Sequence, residues 1–487
     1  MSLMRHKYFD HLGARSYFVD KRDAAVSYSH IANALIDGGV IDPAAVLGVL
    51  MKNYILSDRT LVQGVKRTPW LSRKNEEGKW QYAELPKHGS VRCPPDIIAT
   101  KLKERLRDEA LSFLQGKKKI GILLSGGMDS RVVAAVVKNL QDDGLYTGEV
   151  VALTWGIDES RDVVYSQRIA ESFNWEFRHF PVNASVLKKN IHIAADRGAE
   201  YSPVHLHAMS SVSQTDGIDG ILAGSYGDSI GRGEYSGRKV RSLPSILSKN
   251  VNHFSFMLCS AEHSAQKTIL EDLANDRARY PGRSEASYRE IEMQLHYMRR
   301  QLNSCMEVID DRIPVYQMFS DPNVFGFMWS LHPSCRTDRN YECLLQILSN
   351  KLLDLPWART GVRYNENGSN PEDDLKKLNN CYGKWLRTDL RDFVIDEISS
   401  GALKTLGIFN ERSLDMWVRH WPSSTKSKAD RLDEKMAWLA SLSLFVKKYN
   451  IQGISPPARR CSTDWFAEKK AFIHTQLYHA TLGVLKR

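Results

Sequence analysis

Apolar residues recur along this chain with two different spacings, and each spacing predicts a different element. From residue 95 onward, short apolar runs typical of buried strands are separated by stretches with the i, i+3, i+4 spacing of amphipathic helices. The predicted strands are 119–124, 149–155, 177–182 and 220–224, and the predicted helices are 96–115, 131–140 and 163–173. This repeated strand, helix, strand order predicts a parallel sheet with right-handed crossovers.

The regions on either side of this pattern have a different character. Residues 1–90 contain short alternating stretches and a helix that Asp42 caps and Pro43 begins, and a Pro-rich linker follows at 84–96. Residues 241–487 are mostly helical, with clear periodicity at 288–302. We therefore predict an α/β fold with three parts, which are a small β-rich amino-terminal domain (1–90), a parallel-sheet core (95–240) and a helical carboxyl-terminal part (241–487).

The sequence ILLSGGMDSRVVAAVV, residues 122–137, interrupts two apolar runs with small, polar residues. Gly126 and Gly127 let backbone N–H groups approach an anion, the next helix begins with unpaired donors, and Ser125 and Ser130 add hydroxyls. Asp129 would repel a phosphate unless a cation lies between them, which Mg²⁺ can provide. The loop therefore predicts a magnesium–phosphate site, and the Walker pattern G-x-x-x-x-G-K-[ST] is absent from the sequence.

SGGMDS between a strand and a helix resembles the SGG-x-D-S loop of ATP pyrophosphatases, which cleave ATP between its α and β phosphates. Asparagine, GMP and argininosuccinate synthetases and tRNA-modifying enzymes share that loop. The later segment GILAGSYGDSIGRGEY (220–235) is similar to the second phosphate motif of asparagine synthetases, and 311–333 and 354–361 resemble two further segments of that family. Over residues 95–365 the chain thus resembles the synthetase domain of the asparagine synthetase family.

The resemblance implies a set of site residues around ATP and Mg²⁺. Asp129 and Asp228 would share the metal at one edge of the sheet. Arg339 falls where a phosphate contact is expected. The remaining nucleotide contacts that the resemblance implies are Leu123, Ser125, Gly126, Gly127, Ser130, Thr154, Trp155, Gly156 and Gly224.

Two positions depart from the family pattern. Where the family has Glu, or Tyr in its β-lactam branch, this chain has Ser225 followed by Tyr226, so Tyr226 is a candidate acid–base group. The Lys of the later segment is missing, and Arg359 and Arg363 are nearest; an Arg can hold negative charge but cannot shuttle a proton. Two acids of the 288–302 helix, Glu290 and Glu292, are alternative partners, although a solvated helix face is the more favoured interpretation.

Residues 1–90 resemble the second half of the family's glutaminase domain. That domain uses an amino-terminal cysteine as nucleophile, whereas Ser2 follows the initiator and the first cysteine is Cys93. We therefore expect no glutamine hydrolysis, as in β-lactam synthetases and lasso-peptide cyclases. The leading hypothesis is an ATP- and Mg²⁺-dependent ligase that adenylates a carboxylate for attack by ammonia or a substrate amine. The alternatives are a degenerate nucleotide-binding partner protein and an enzyme that adenylates nucleic acid.

Composition and charge bear on whether the protein binds nucleic acid and whether it crosses a membrane. The net charge is +10, with twelve Lys/Arg against five Asp/Glu in residues 426–487, but apolar residues interleave with these charges in a helical pattern. A solvated basic face is therefore favoured over a nucleic-acid surface. Seven widely spaced cysteines and the lack of a signal sequence or long apolar run favour a cytoplasmic protein that does not cross the membrane. We expect a small-molecule or peptide carboxylate as substrate, and a homo-oligomer or a biosynthetic partner protein is compatible with the sequence.

Overall fold

The computed structural model describes residues 17–20, 23–35, 38–75, 77–233, 246–247, 251–364, 366, 374–423 and 430–484. Ser2 lies outside the described residues. The elements of the amino-terminal part are β1 (Phe18–Asp20), β2 (Asp23–Tyr28), α1 (Ile31–Ala34), β3 (Gly39–Val40), α2 (Pro43–Lys52), β4 (Val65–Arg67), β5 (Ser72–Lys74) and β6 (Trp80–Tyr82). β1 pairs with β2 and β4 in a small antiparallel sheet, and Asp42 caps α2 by accepting from the Ala44 and Ala45 N–H groups, as the sequence predicts.

A parallel sheet forms the centre of the molecule, as the alternation of strands and helices predicts. Its elements in chain order are α3 (Pro95–Leu114), β7 (Lys119–Leu123), α4 (Met128–Asp142), β8 (Glu149–Gly156), α5 (Arg161–Ser172), β9 (Glu176–Pro181), α6 (Ala184–Asp196), α7 (Met209–Val212) and β10 (Ile221–Ala223). The fifth strand, β11, comes from residues 315–317, and the strand order is β11-β10-β7-β8-β9. The chain therefore changes direction across the sheet at β7, and ligands of open α/β sheets bind at such a switch point.

Both faces of this sheet are buried. Along β7, β8 and β10, alternate residues enter two different apolar clusters: Leu123 and Leu153 belong to one, and Ile122 and Ala152 to the other. A strand buried on both faces has no polar face, which is why KIGILL and EVVALTW are continuous apolar runs. Because the register pairs Leu123 with both Leu153 and Ala223, the loops that follow these strands meet at one edge.

The carboxyl-terminal half is mostly helical, also as predicted. The 288–302 periodicity covers the end of α9 and a wider-wound π-helical stretch, Met293–Leu302. The elements are α8 (Cys259–Ala278), α9 (Glu285–Glu292), α10 (Ser304–Asp310), β11 (Val315–Gln317), α11 (Pro322–Ser330), α12 (Asp338–Leu348), α13 (Tyr382–Arg387), α14 (Arg391–Ser399), α15 (Glu411–His420), α16 (Asp430–Lys448), β12 (Ile451–Gln452) and α17 (Ser462–Val484). Among the described helices, none combines the length and apolar character that a bilayer crossing requires.

The described apolar residues of the amino-terminal part share their core with other parts of the chain. Its helix α2 packs against α8, and its buried apolar residues from Phe18 to Val65 belong to the same cluster as those of α6 and α16. Trp70, Leu71 and Leu85 belong to the second cluster, with Ile122 and Ala152. Arg59 extends the contact by pairing with Asp42 and with Asp272 of α8. β3 also pairs with β12 near the carboxyl terminus. The described residues of the amino-terminal part are therefore packed on elements of the carboxyl-terminal part. The interpretation of residues 1–90 as a glutaminase-like remnant stays a prediction.

Candidate active site

The loop after β7 is closed by side chains. Ser130 Oγ accepts from the Ser125 N–H at 3.1 Å, and Ser125 Oγ accepts from the Gly127 N–H at 3.2 Å. The carboxylate of Asp162, at the start of α5, accepts from the Gly126 N–H at 3.2 Å. An entering phosphate must therefore replace these acceptors or bind the amides at the start of α4, where the first turn has no intrahelical acceptor.

The loop after β10 packs directly on the first loop. A Cβ placed on Gly224 would lie 2.9 Å from the Asp129 carbonyl carbon, and one on Gly227 would lie 2.7 Å from Asp129 Oδ1. Burial raises the pKa of Tyr341 well above its usual value, and the charges of Asp129 and Asp228 contribute to that rise. Both acids therefore contribute to the raised pKa of the same residue, Tyr341. The structure thus brings together the two motifs that lie about one hundred residues apart in the sequence.

The two candidate acid–base residues of this loop differ in exposure. Ser225 is half-buried, whereas Tyr226 is 1% exposed and lies in the apolar cluster beneath the sheet. Its hydroxyl has no hydrogen-bond partner among the described residues, and burial raises the pKa of Tyr226. A neutral, enclosed hydroxyl is a poor general base at neutral pH, so the structure does not favour that role for Tyr226.

Asp129 is bound by an arginine that the sequence analysis did not single out. Arg232 Nε and Nη2 donate to the two carboxylate oxygens of Asp129, both at 3.0 Å, and Arg232 Nη1 donates to Asp338 at 3.1 Å. The Arg232 side chain is 6% exposed. This paired, fork-like geometry is among the stronger protein ion contacts.

The segment 354–361 forms another wall of the loop. The Ala358 N–H donates to the Gly126 carbonyl at 3.1 Å, and the buried Arg131 guanidinium binds the carbonyls of Gly126 and of residues 352, 355 and 356. Arg359 and Arg363 are exposed, and Arg359 lies over the Trp357 ring at 5.6 Å. The structure thus brings Arg359 near the loop, while the buried guanidinium at Asp129 belongs to Arg232.

The end of β8 forms the opposite wall. Thr154 is buried and its hydroxyl donates to the Leu124 carbonyl at 2.8 Å, which ties β8 to the start of the phosphate loop. Trp155 is half-buried, its ring lies 6.1 Å from that of His207, and its indole N–H has no partner among the described residues. Gly156 has a φ of 149° and packs against Asn379. These residues border the loop on one side, and they are among the nucleotide contacts that the resemblance implies.

Two other predicted contacts are less favourably placed. Leu123 is 3% exposed and packs in the core, so it can offer a ligand only its backbone. The Arg339 side chain is about half exposed and pairs with Glu342 on its own helix. Its role as a phosphate contact stays a prediction.

The interpretation of Glu290 and Glu292 as a solvated face is wrong. Glu290 is 3% exposed and accepts two hydrogen bonds from Arg336, both at 2.8 Å. Glu292 is also buried and binds Arg289 at 2.7 Å. The helix tolerates these carboxylates because each has an arginine partner, which is the usual condition for a buried charge.

The arrangement around Asp129 does not fit a metal held by the protein. Both Asp129 oxygens bind Arg232, so a divalent ion could coordinate this carboxylate only after the arginine had left. Within the described ranges, no group of three or more His, Cys, Asp or Glu side chains could hold a metal ion. The assignment of Mg²⁺ to Asp129 and Asp228 therefore stays a prediction.

A parallel sheet whose central strand leads into an SGG-x-D-S loop, with a second loop packed on its acid, defines an ATP-pyrophosphatase-type nucleotide-binding domain. Residues 101–333 match the family model described as asparagine synthase. These residues, just under half of the chain, are therefore similar to the asparagine synthase family.

Individual relatives are more distant. The chain is 25% identical over 135 residues to the "Putative asparagine synthetase (glutamine-hydrolyzing) 1" of Methanocaldococcus jannaschii, a match that covers 26% of this chain and 24% of the relative. Among solved structures, the U34-tRNA thiolase NcsA of Methanococcus maripaludis is 14% identical (TM-score 0.22, 41% of this chain and 78% of that one). NMN synthetase of Francisella tularensis is 15% identical (TM-score 0.20, 50% and 97%). Scores this low add nothing to the assignment.

Proposed function

We propose that the chain is an ATP-dependent ligase that joins an activated carboxylate to an amine. The carboxylate attacks the α phosphorus of ATP, pyrophosphate leaves, and the amine then displaces AMP from the acyl-adenylate to give an amide. The observation that carries the proposal is the placement of SGGMDS at the switch point of the sheet, with the second loop packed on Asp129. The asparagine synthase match over the same residues supports it.

In the first half-reaction, different residues would bind the phosphates and the adenosine of ATP. The amides at the start of α4, together with the hydroxyls of Ser125 and Ser130, would bind the phosphates. Donors aimed at the leaving pyrophosphate stabilise charge that grows in the transition state, which lowers the barrier rather than only tightening binding. Trp155 and Gly156, at the end of β8, would border the adenosine.

The amine is proposed to be ammonia or a group of the substrate itself. The first cysteine of the sequence, Cys93, lies within the Pro-rich linker at 84–96. Cys93 lies between β6 and α3 in the chain. It is half-buried and packs against the apolar cluster that contains Ile122 and Ala152. A nucleophile that must also supply its own amino group cannot come from such an internal position.

A second candidate is a family member that binds nucleotide without turning it over. The observations in its favour are the enclosure of Tyr226 and the pairing of Asp129 with Arg232. This candidate predicts nucleotide binding by calorimetry and no ATP cleavage with any carboxylate.

Exchange of labelled pyrophosphate into ATP separates the two candidates. We expect exchange that depends on a carboxylate from a panel of amino acids, small acids and peptides, and that is lost in Asp129→Ala and in Asp228→Ala. The matched control is Asp142→Ala, which removes an exposed acid paired with Lys138 at the far end of α4. Exchange that survives both active-site changes would overturn the ligase proposal, and ATP binding without exchange on the whole panel would favour the second candidate.

A further inference from the structure

Arg232 lies where three parts of the site meet. Besides Asp129 on α4, its guanidinium binds Asp338 at the start of α12. The guanidinium carbon also lies 5.8 Å from the ring centres of both Tyr341 and Trp357. Such an arrangement orients the guanidinium plane as well as neutralising its charge.

The neighbours that hold Arg232 are themselves fixed to the phosphate loops. Tyr341 is fully buried, and its hydroxyl donates to the Gly227 carbonyl at 3.0 Å. Trp357 precedes Ala358, whose N–H binds the Gly126 carbonyl. Arg232 is therefore attached, through short chains of contacts, to both the first and the second loop.

The guanidinium retains capacity for an anion. Arginine carries five N–H donors, and the three bonds to Asp129 and Asp338 use three of them. The matching of a planar fork to phosphate oxygens is the reason why arginine is favoured at phosphate sites. Two carboxylates facing one guanidinium also leave a net negative charge, so a phosphate that enters must compete with them for the arginine.

We propose that Arg232 is the cation of this site, and that it binds the pyrophosphate portion of ATP by exchanging its carboxylate partners for phosphate oxygens. The proposal deepens the ligase proposal and rests on it for the identity of the nucleotide. It explains why both oxygens of Asp129 are occupied by a side chain, and it supplies a buried positive charge in a chain whose 354–361 segment lacks the expected lysine. The consequence is that pyrophosphate binding tolerates removal of divalent metal.

Calorimetric titration with inorganic pyrophosphate, in magnesium and in EDTA, tests the proposal directly. We expect the unmodified protein to bind in EDTA with an affinity within about tenfold of that in magnesium. Arg232→Gln should weaken pyrophosphate binding by about tenfold or more in both buffers. The affinity of Arg232→Lys should lie between those of the unmodified protein and Arg232→Gln, because lysine keeps the charge and loses the planar fork of donors. Arg277→Gln is the control, since it removes an exposed arginine that is also paired with a carboxylate, Glu285.

A second variant covers the case in which Arg232→Gln does not fold. Asp338→Asn removes one competitor for the guanidinium, and the Asp338 side chain is 44% exposed, so folding should be retained. We expect pyrophosphate to bind about threefold or more tightly to this variant in EDTA. Binding that is unchanged or weaker in Asp338→Asn, unchanged binding in Arg232→Gln, or binding that requires magnesium would each overturn the proposal.

The two proposals fail in different ways. If Arg232→Gln does not change the exchange activity, the ligase proposal stands and the proposal that Arg232 binds pyrophosphate is wrong. Pyrophosphate binding that depends on Arg232, in a protein that shows no exchange with any carboxylate, would retain the anion site and overturn the ligase.

Discussion

The guanidinium of Arg131 donates a hydrogen bond to the Gly126 carbonyl at 3.2 Å, from a residue that is 1% exposed. The same group binds three carbonyls between residues 352 and 356. Burial lowers the pKa of Arg131 to about 10, so the side chain is still charged at neutral pH. One arginine thus joins the phosphate loop to the segment that covers it.

Replacing Arg131 should destabilise the fold and the site together. Arg131→Met removes the donor from four carbonyls, two of them in buried and two in part-buried hydrogen bonds, and we expect the free energy of unfolding to fall by about 3 kcal/mol. Chemical denaturation measures that loss, and ATP titration should show weaker binding because the loop has lost its cover. A loss below about 1 kcal/mol would show that water replaces the guanidinium without cost.

The close approach of Gly126 to Ala358 gives a second prediction. A Cβ on Gly126 would lie 2.6 Å from the Ala358 Cβ, so Gly126→Ala must push the 354–361 segment away from the loop. We expect a loss of about 1–3 kcal/mol in the free energy of unfolding, the usual range for overpacking, together with weaker ATP binding.

The swapped pair provides the control for this change. Gly126→Ala combined with Ala358→Gly restores the space and should recover most of the lost stability. If the double variant is no better than Gly126→Ala alone, the clash is not the cause.

The sequence predicted the parts of the site that depend on local pattern. Strands buried on both faces appear as continuous apolar runs, and SGGMDS follows one of them, so the fold class and the position of the loop could be inferred without contacts. The cap at Asp42 was equally local, because its side chain binds amides two and three residues away.

What the sequence missed depends on contacts between distant residues. Arg232 lies 103 residues from Asp129, and Arg131 binds carbonyls more than 220 residues away, so neither partner could be inferred from spacing. The exposure of Glu290 was mispredicted for the same reason, since its partner Arg336 comes from a different element. A signal for Arg232 did exist, because an arginine follows the second phosphate motif directly in GDSIGRGEY.

Asp162 gives a third prediction, in which loss of an acid improves binding. Its carboxylate accepts from the Gly126 N–H and lies beside the expected phosphates, and burial raises the pKa of Asp162. Asp162→Asn retains an oxygen acceptor for the amide and removes the charge. We expect ATP to bind about fivefold more tightly, which corresponds to ~1 kcal/mol of relieved repulsion.

The size of this gain should depend on pH. Because the neutral acid persists to higher pH than in an ordinary aspartate, the two proteins should differ least in acid and most above neutral pH. Calorimetry across that range checks the trend, and weaker binding by Asp162→Asn at every pH would show that the carboxylate itself is needed.

Asp276 links α8 to the amino-terminal part and gives a prediction about stability. Ser57 Oγ donates to Asp276 at 2.5 Å, and the carboxylate side chain is 3% exposed. Burial, followed by the charge of Asp58, raises the pKa of Asp276 to about 6. In the unfolded chain an aspartate titrates near pH ~4, so between about pH 4 and 6 the folded protein binds more protons.

The sign of the effect follows from that difference. The raised pKa of Asp276 contributes to the free energy of unfolding, and this contribution is fully present below about pH 4. It is lost as the pH rises through 6. For a shift of about two pKa units, the loss is about 3 kcal/mol in total. Asp276→Asn cannot titrate. The free energy of unfolding of the unmodified protein, minus that of the variant, should therefore fall by about that amount between pH 4 and 7 in urea titrations. Asp142→Asn, which alters an exposed acid, should give a flat difference. A difference that rises with pH would mean that Arg279 and Ser57 hold the Asp276 carboxylate in its charged form.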